Sequence, residues 1–233
     1  MKLLADAKAN TKTNKTEKSV DKVRMKTLSM FPNDEICPAR WIADCADDCL
    51  TYSGLAQVYS SVNQARQRKT DWYMTDRAGF LQQLRRELSN FDKLCKKQSV
   101  KGVLRLNVLS DIAWESHGIP QEFPDLTFYD YTKLARRLGR TPINYDLMFS
   151  YSSAPKYQSQ ARIALQTDAP ITVVFRGGLP THFMGRDVYD GDKSDLDNLG
   201  QRGKIIGLRV KGNEAKKSKS PFIVDSNLIA IGG

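Results

Sequence analysis

Long apolar runs are the first thing this sequence lacks. No stretch approaches the roughly 18–20 consecutive apolar residues that cross a bilayer, and the opening Met1-Lys2-Leu3-Leu4-Ala5-Asp6 has no apolar signal region. The expectation is a protein of a cytoplasm, with no membrane partner. No GxxxxGK[ST], HExxH or GxGxxG occurs, so the common phosphate-loop, zinc-protease and dinucleotide fingerprints are excluded. There is no CxxC, only two histidines (His117 and His182) and only four cysteines in 233 residues. A disulfide framework does not suit so long a chain without a secretion signal.

What is there is positive charge. The formal net charge is +10 and the pI about 9.4. That balance suits an acidic partner such as nucleic acid or a phosphorylated ligand. It also suits a merely solvated surface. Residues 1–24 hold seven Lys or Arg against three acids and few apolar groups, which reads as a flexible basic leader. Residues 25–233 then read as a single α/β domain. Further cations cluster at Arg66, Arg68 and Lys69, at Arg136, Arg137 and Arg140, and at Lys216, Lys217 and Lys219. Aromatic residues are not interleaved with these runs, and Trp41, Trp72 and Trp114 read as packing residues.

Hydrophobic periodicity orders the chain. Residues 26–31 alternate and suit a strand ending at Pro32. Residues 47–68 suit a helix, with Leu50, Leu55, Val58, Tyr59, Val62 and Ala65 at helical spacing. A stronger helix covers about residues 75–95, where Phe80, Leu81, Leu84, Leu88, Phe91 and Leu94 make one stripe. Short apolar runs follow at 103–108, 127–131, 145–149, 171–175, 204–210 and 222–224, with a weaker one at 186–189. Helical stretches at 131–138, 157–165 and 194–199 separate several of them. Strand and helix in alternation predict βαβ units and mainly parallel strands. Right-handed crossovers place all carboxyl ends on one edge, where such sheets bind ligands.

Polar residues gather at those predicted ends: Asn107, Ser110 and Asp111; Thr132 and Lys133; Ser150; Arg176 with two glycines; Asp190 and Asp192. Any strand also ends in polar turn residues, so each cluster alone is open to that plainer reading. Cys37, Cys45 and Cys49 follow the first strand. Cys45 and Cys49 are four apart, which puts both thiols on one face of a helix. Three thiolates suit a 4Fe–4S cluster with one open iron. They also suit zinc with a fourth ligand from Cys95, Asp44, Asp48, His117 or His182.

In its order of motifs the sequence resembles the radical S-adenosylmethionine superfamily, and more closely some small phage-encoded relatives of it. The resemblance rests on Cys37, Cys45 and Cys49, then Ser110-Asp111, then Thr132-Lys133, then Ser150, and covers about residues 26–211. It implies a partial (βα)6-type barrel. It also implies that Cys37, Cys45 and Cys49 hold a 4Fe–4S cluster whose open iron chelates S-adenosylmethionine. Ser110 and Asp111 would then meet the ammonium group and Asn107 the ribose. Ser150, Lys133 and Arg176 would line the site, Lys133 or Arg176 facing a carboxylate or phosphate. Asp190 would serve as base or anchor. The spacing differs from the superfamily's Cys-x3-Cys-x2-Cys, and Leu109-Ser110-Asp111 stands where its glycine-rich motif would be. The expected function is an iron–sulfur phage protein acting on a nucleotide or nucleic acid. The alternative is a non-catalytic protein with a structural metal that binds nucleic acid or a host protein. A third class, a hydrolytic nuclease, would recruit Asp111, Glu115, Asp190 and Asp192 around Mg²⁺.

Overall fold

Most of the short alternating runs are strands in a computed structural model that describes residues 1–9, 11–47, 49, 60–211 and 213–229. The chain is an α/β protein with a mostly parallel mixed sheet. It divides into two compact units: Met1–Cys37, Leu55–Asp130 and Thr141–Asp146 in the first, and Pro38–Gly54, Tyr131–Arg140 and Leu147–Gly233 in the second.

The first unit begins where a leader was expected. Residues 1–24 instead carry strand β1 (Ala5–Asp6), helix α1 (Thr11–Ser19) and the start of β2 (Val23–Thr27). Leu3 and Leu4 are buried, and their N–H groups each donate to a Glu87 carboxylate oxygen at 2.8 Å. The Leu3 carbonyl accepts from Lys69 Nζ at 2.8 Å. Hydrogen bonds to an ionised carboxylate are among the stronger ones, each worth about 1.5–3 kcal/mol when sheltered. The polar composition hid this anchoring because the buried groups of α1 are Thr13 and Thr16. The Thr13 hydroxyl donates to the Ala7 carbonyl instead of to water.

Strand β2 pairs antiparallel with β1 and parallel with β3 (Lys101–Arg105), and β3 pairs parallel with the start of β4 (Thr127–Thr132). The expected strand at 26–31 lies earlier, at Val23–Thr27. Of the helix expected over 47–68, residues 48 and 50–59 lie outside the described ones. The helical part that is described, α2, runs Ser60–Thr75. Helix α3 (Arg77–Gln98) matches the strongest periodic segment. Asp76 caps it by accepting from Gly79 N at 2.9 Å, and Ser99 ends it in a left-handed conformation. Its buried face is Phe80, Leu84, Leu88, Phe91 and Cys95; Leu94, assigned to that face from the sequence, is exposed. The helix sits close over β3 at Gly102, where a Cβ would stand 2.5 Å from a Leu126 methyl and 3.0 Å from Cys95 Sγ.

In the second unit β6 (Ile171–Arg176) has three parallel partners. Strand β5 (Tyr145–Ser150) meets its first residues, β9 (Ile205–Arg209) runs along it, and β10 (Ile223–Asp225) takes Val174–Arg176. Strand β8 (Arg186–Asp190) extends the sheet parallel to β9, and the short β7 (His182–Phe183) pairs antiparallel with β8. Helix α5 (Gln158–Leu165) makes the crossover from β5 to β6, after the short α4 (Ile119–Glu122) of the first unit. Arg186 closes the end of α5: its guanidinium donates to the carbonyls of Leu165, Thr167 and Ala169. The short helices α6 (Asp195–Leu199), α7 (Asn213–Lys217) and α8 (Ser226–Ile229) complete the unit. The helix expected at 131–138 is only a single 3-10 turn, Ala135–Arg137, because β4 continues to Thr132.

One half-buried titratable group in the first unit is set against cations. His117 Nε2 is 3.0 Å from the Tyr73 hydroxyl, and Arg77 lies over the Tyr73 ring. Arg85 donates to the His117 carbonyl and forms a bidentate pair with Glu122. Burial, and then the charges of Arg77 and Arg85, hold the imidazole below its usual pKa. Both folded and unfolded chains then carry neutral His117 above about pH 6.5, the unperturbed value. Below that, the unfolded chain gains a proton first and folding stability is lost as pH falls. Urea midpoints at pH 7.5 and 5.5 should therefore drop less on acidification in His117→Gln than in the wild type. Equal drops would show that His117 is not the titrating group.

Candidate ligand site at the carboxyl ends of the strands

Asn107, Ser110 and Asp111, expected to meet a cofactor, lie in the loop that follows β3, and all three are buried. The Asn107 side chain is the hub of that loop. Its Oδ1 accepts from Ser110 Oγ at 2.8 Å, Ile112 N at 2.9 Å and Trp114 Nε1 at 3.1 Å. Its Nδ2 donates to the Ile112 carbonyl at 2.9 Å and to Asp130 at 3.3 Å. Asp130, fully buried, also accepts from Asn107 N and from the Tyr145 hydroxyl. Asp111 N donates to the Ile36 carbonyl at 2.6 Å, which ties this loop to the segment before Cys37. Asn107 and Ser110 are thus committed to shaping the loop, and a ribose would have to displace these bonds.

The cysteines are divided. Cys37 belongs to the first unit, where its N–H donates to the Asn33 carbonyl, and Cys45 and Cys49 belong to the second. Cys45 is buried, its thiol 3.6 Å from the Arg40 carbonyl. Burial pushes that thiol up in pKa, and the charge of Lys133 beside it pulls the other way without cancelling the shift. Among the described residues, no group of three or more His, Cys, Asp or Glu side chains gathers as metal ligands would. Of the possible fourth ligands, Asp48 lies outside the described residues. Cys95 is core on α3, His117 pairs with Tyr73, and His182 is exposed beside Asp187.

In the second unit the ends of β4 and β5 do come together. Lys133 Nζ donates to Ser150 Oγ at 2.8 Å. The Tyr157 hydroxyl is 2.8 Å from the Lys133 carbonyl and 3.0 Å from the Ser150 carbonyl, so it locks the two strand ends in register. The Tyr157 ring stacks on Phe149 with centroids 5.7 Å apart. Phe222, just before β10, presents its ring 4.3 Å from Lys133 Nζ. Cys45 completes the group. Tyr157 and Phe222 did not stand out in the sequence. One began a helix and the other a short strand, and only the fold gives them a neighbour.

Arg176 ends β6 and donates to the Ser218 carbonyl, while its own carbonyl accepts from Ser226 Oγ. The turn that follows passes through Gly177 at φ 88°, where a Cβ would stand 2.7 Å from Asn227 Nδ2. Asp190 and Asp192 are engaged elsewhere. Arg209 holds both, at 3.0 and 3.1 Å, and Lys211 pairs with Asp192. Burial opposes the charge on Asp190, but the Asp192 N–H and Arg209 outweigh it and keep its pKa below the usual carboxylate range. A carboxylate so held is a joint between β8 and β9 and is poorly set up as a general base.

A family model described as gene product 88 matches residues 2–225. The chain belongs to that family. It is a phage gene product, and nothing in the match indicates a radical S-adenosylmethionine relationship. No curated protein and no solved structure matches it. No helix among the described residues is long and apolar enough to cross a membrane.

The burial of the thiols orders their reactivity. With iodoacetamide at pH 8, the half-buried Cys37 and Cys49 should alkylate well before the buried Cys45 and Cys95, as read by peptide mass spectrometry. Labelling of Cys45 first would contradict the placement of the cysteine loop.

Proposed function

We propose that this phage protein binds a small phosphate-bearing ligand of the nucleotide class, without catalysing a reaction on it, at the carboxyl ends of β4 and β5. The observation that carries the reading is the placement of Lys133. Its ammonium is 2.8 Å from the Ser150 hydroxyl and 4.3 Å from the Phe222 ring centre, on the edge where parallel strands end. An ammonium and a hydroxyl offer a phosphate a charge-assisted contact and a second hydrogen bond. An aromatic wall offers a base or other planar group a face. The positive balance of the chain favours the same ligand class through long-range attraction.

The sharper expectation was an iron–sulfur, radical S-adenosylmethionine enzyme on a partial barrel. Consecutive parallel strands within each unit are those of an α/β protein and do not single out a barrel. A 4Fe–4S centre needs three thiolates on one point and a closed zinc site four ligands together, and among the described residues no group of three or more His, Cys, Asp or Glu side chains is gathered. The binding proposed at Lys133 calls on neither a metal nor S-adenosylmethionine.

Thermal unfolding in the presence of ADP or pyrophosphate tests the reading. At a hundredfold excess over Kd, a ligand that binds only the folded chain should raise Tm by about 5–10 °C. Lys133→Met should abolish the rise while unfolding cooperatively on its own. A rise that survives in Lys133→Met, or none in the wild type with millimolar amounts of either compound, would overturn it.

A further inference from the structure

Trp41, read from the sequence as a packing residue, is more than half exposed. It lies in a tight turn of the second unit closed by Ala43 N to the Ala39 carbonyl, Asp44 N to the Trp41 carbonyl and Cys45 N to the Arg40 carbonyl. Asp44 closes the turn at φ 51°. The indole is 57% exposed, its neighbour Ile42 39%, and the Arg40 guanidinium carbon lies 4.6 Å from the Trp41 ring centre. A cation over the ring is a favourable contact, and the exposed indole remains a planar surface on which another ring can stack.

The end of the basic run of the same unit meets this turn. The Ser220 hydroxyl donates to the Asp44 carbonyl, which brings the chain next to Lys219 against the turn. Arg176 at the end of β6 donates to the Ser218 carbonyl, and Lys216, Lys217 and Lys219 are exposed. The second unit as a whole carries seventeen Lys and Arg against eleven Asp and Glu, a net +6. In the sequence, Trp41 and the lysine run are more than 170 residues apart, so no interleaving of aromatic and basic residues was visible.

We propose that this face binds single-stranded nucleic acid. An unpaired base stacks on the exposed Trp41 indole, Arg40 steadies the ring, and the phosphates that follow meet Lys216, Lys217 and Lys219. A base in a duplex is already stacked on its neighbours, so an isolated aromatic platform gains little from double-stranded DNA. A protein partner would want a wider apolar patch than Trp41 and Ile42 provide in their cationic surroundings. The proposal does not depend on the ligand at Lys133, which involves other side chains.

Fluorescence anisotropy of a labelled oligothymidylate, titrated with the full chain over a range of salt, tests it. Trp41→Ala should weaken binding about tenfold or more, and Trp41→Phe should recover much of the loss, since stacking needs a ring and not an indole. Replacing Lys216, Lys217 and Lys219 together by Gln should lower the slope of log K against log salt by up to about 2. All three variants should melt near the wild type, because the exchanged groups on this face are exposed. Failure of the wild type to bind at low salt would overturn the proposal. So would wild-type affinity in Trp41→Ala, or a duplex of the same length binding as tightly as the single strand.

Discussion

Strand β6 has to satisfy three partners with two edges. Strand β9 runs along one of them from Ile171 to Phe175. Strand β5 takes only Ile171 and Thr172, and β10 takes Val174 to Arg176. The chain leaving β5 must therefore part from β6 where β10 enters. The hydrogen bonds trace that parting: Tyr151 N still reaches the Thr172 carbonyl, whereas Ser153 N reaches the Pro221 carbonyl. The fork brings the residue before β10, Phe222, against Lys133, and Tyr157 ties the Lys133 and Ser150 carbonyls. The candidate site follows from this sharing of one strand, and no single motif produces it.

The polar groups at the strand ends have opposite fates in the two units. In the first, Asn107 is 2% exposed, and its amide oxygen and nitrogen are saturated by the loop that it holds. Buried, fully bonded polar groups of this kind specify a backbone path, and removing one leaves its partners unsatisfied. In the second, Lys133 and Ser150 are only half-buried, so a ligand can reach them. Polar residues thus stand at strand ends in both units, buried in the first and partly open to solvent in the second.

Much of the fold was legible because apolar alternation reports which face of a strand is covered. The runs at 127–131, 145–149, 171–175 and 204–210 are strands within a residue or two, and the stripe from Phe80 to Phe91 lies on one long helix. The N-terminal 24 residues were misread because Thr13 and Thr16 fill buried positions, and a Lys- and Thr-rich segment gives no apolar signal. Leu94 was placed on the stripe and is exposed, whereas the adjacent Cys95 is core on the same helix. Lys133 and Ser150 were legible as strand-end residues, and their 2.8 Å contact was not. Trp41 reads as a packing residue because indoles usually pack, but in its turn it is more than half exposed, with the Arg40 guanidinium over its ring. The three cysteines within thirteen residues of sequence fall in different units, and among the described residues no group of three or more metal-ligating side chains is gathered.

The most direct test of the account is on Lys133 itself. Reductive methylation with ¹³C-formaldehyde gives each lysine a resolvable methyl signal, assigned for Lys133 by its loss in Lys133→Arg. Titration with ADP should move the Lys133 signal most, and saturably. Movement confined to other lysines, with Lys133 unchanged, would place the ligand elsewhere and contradict the central claim.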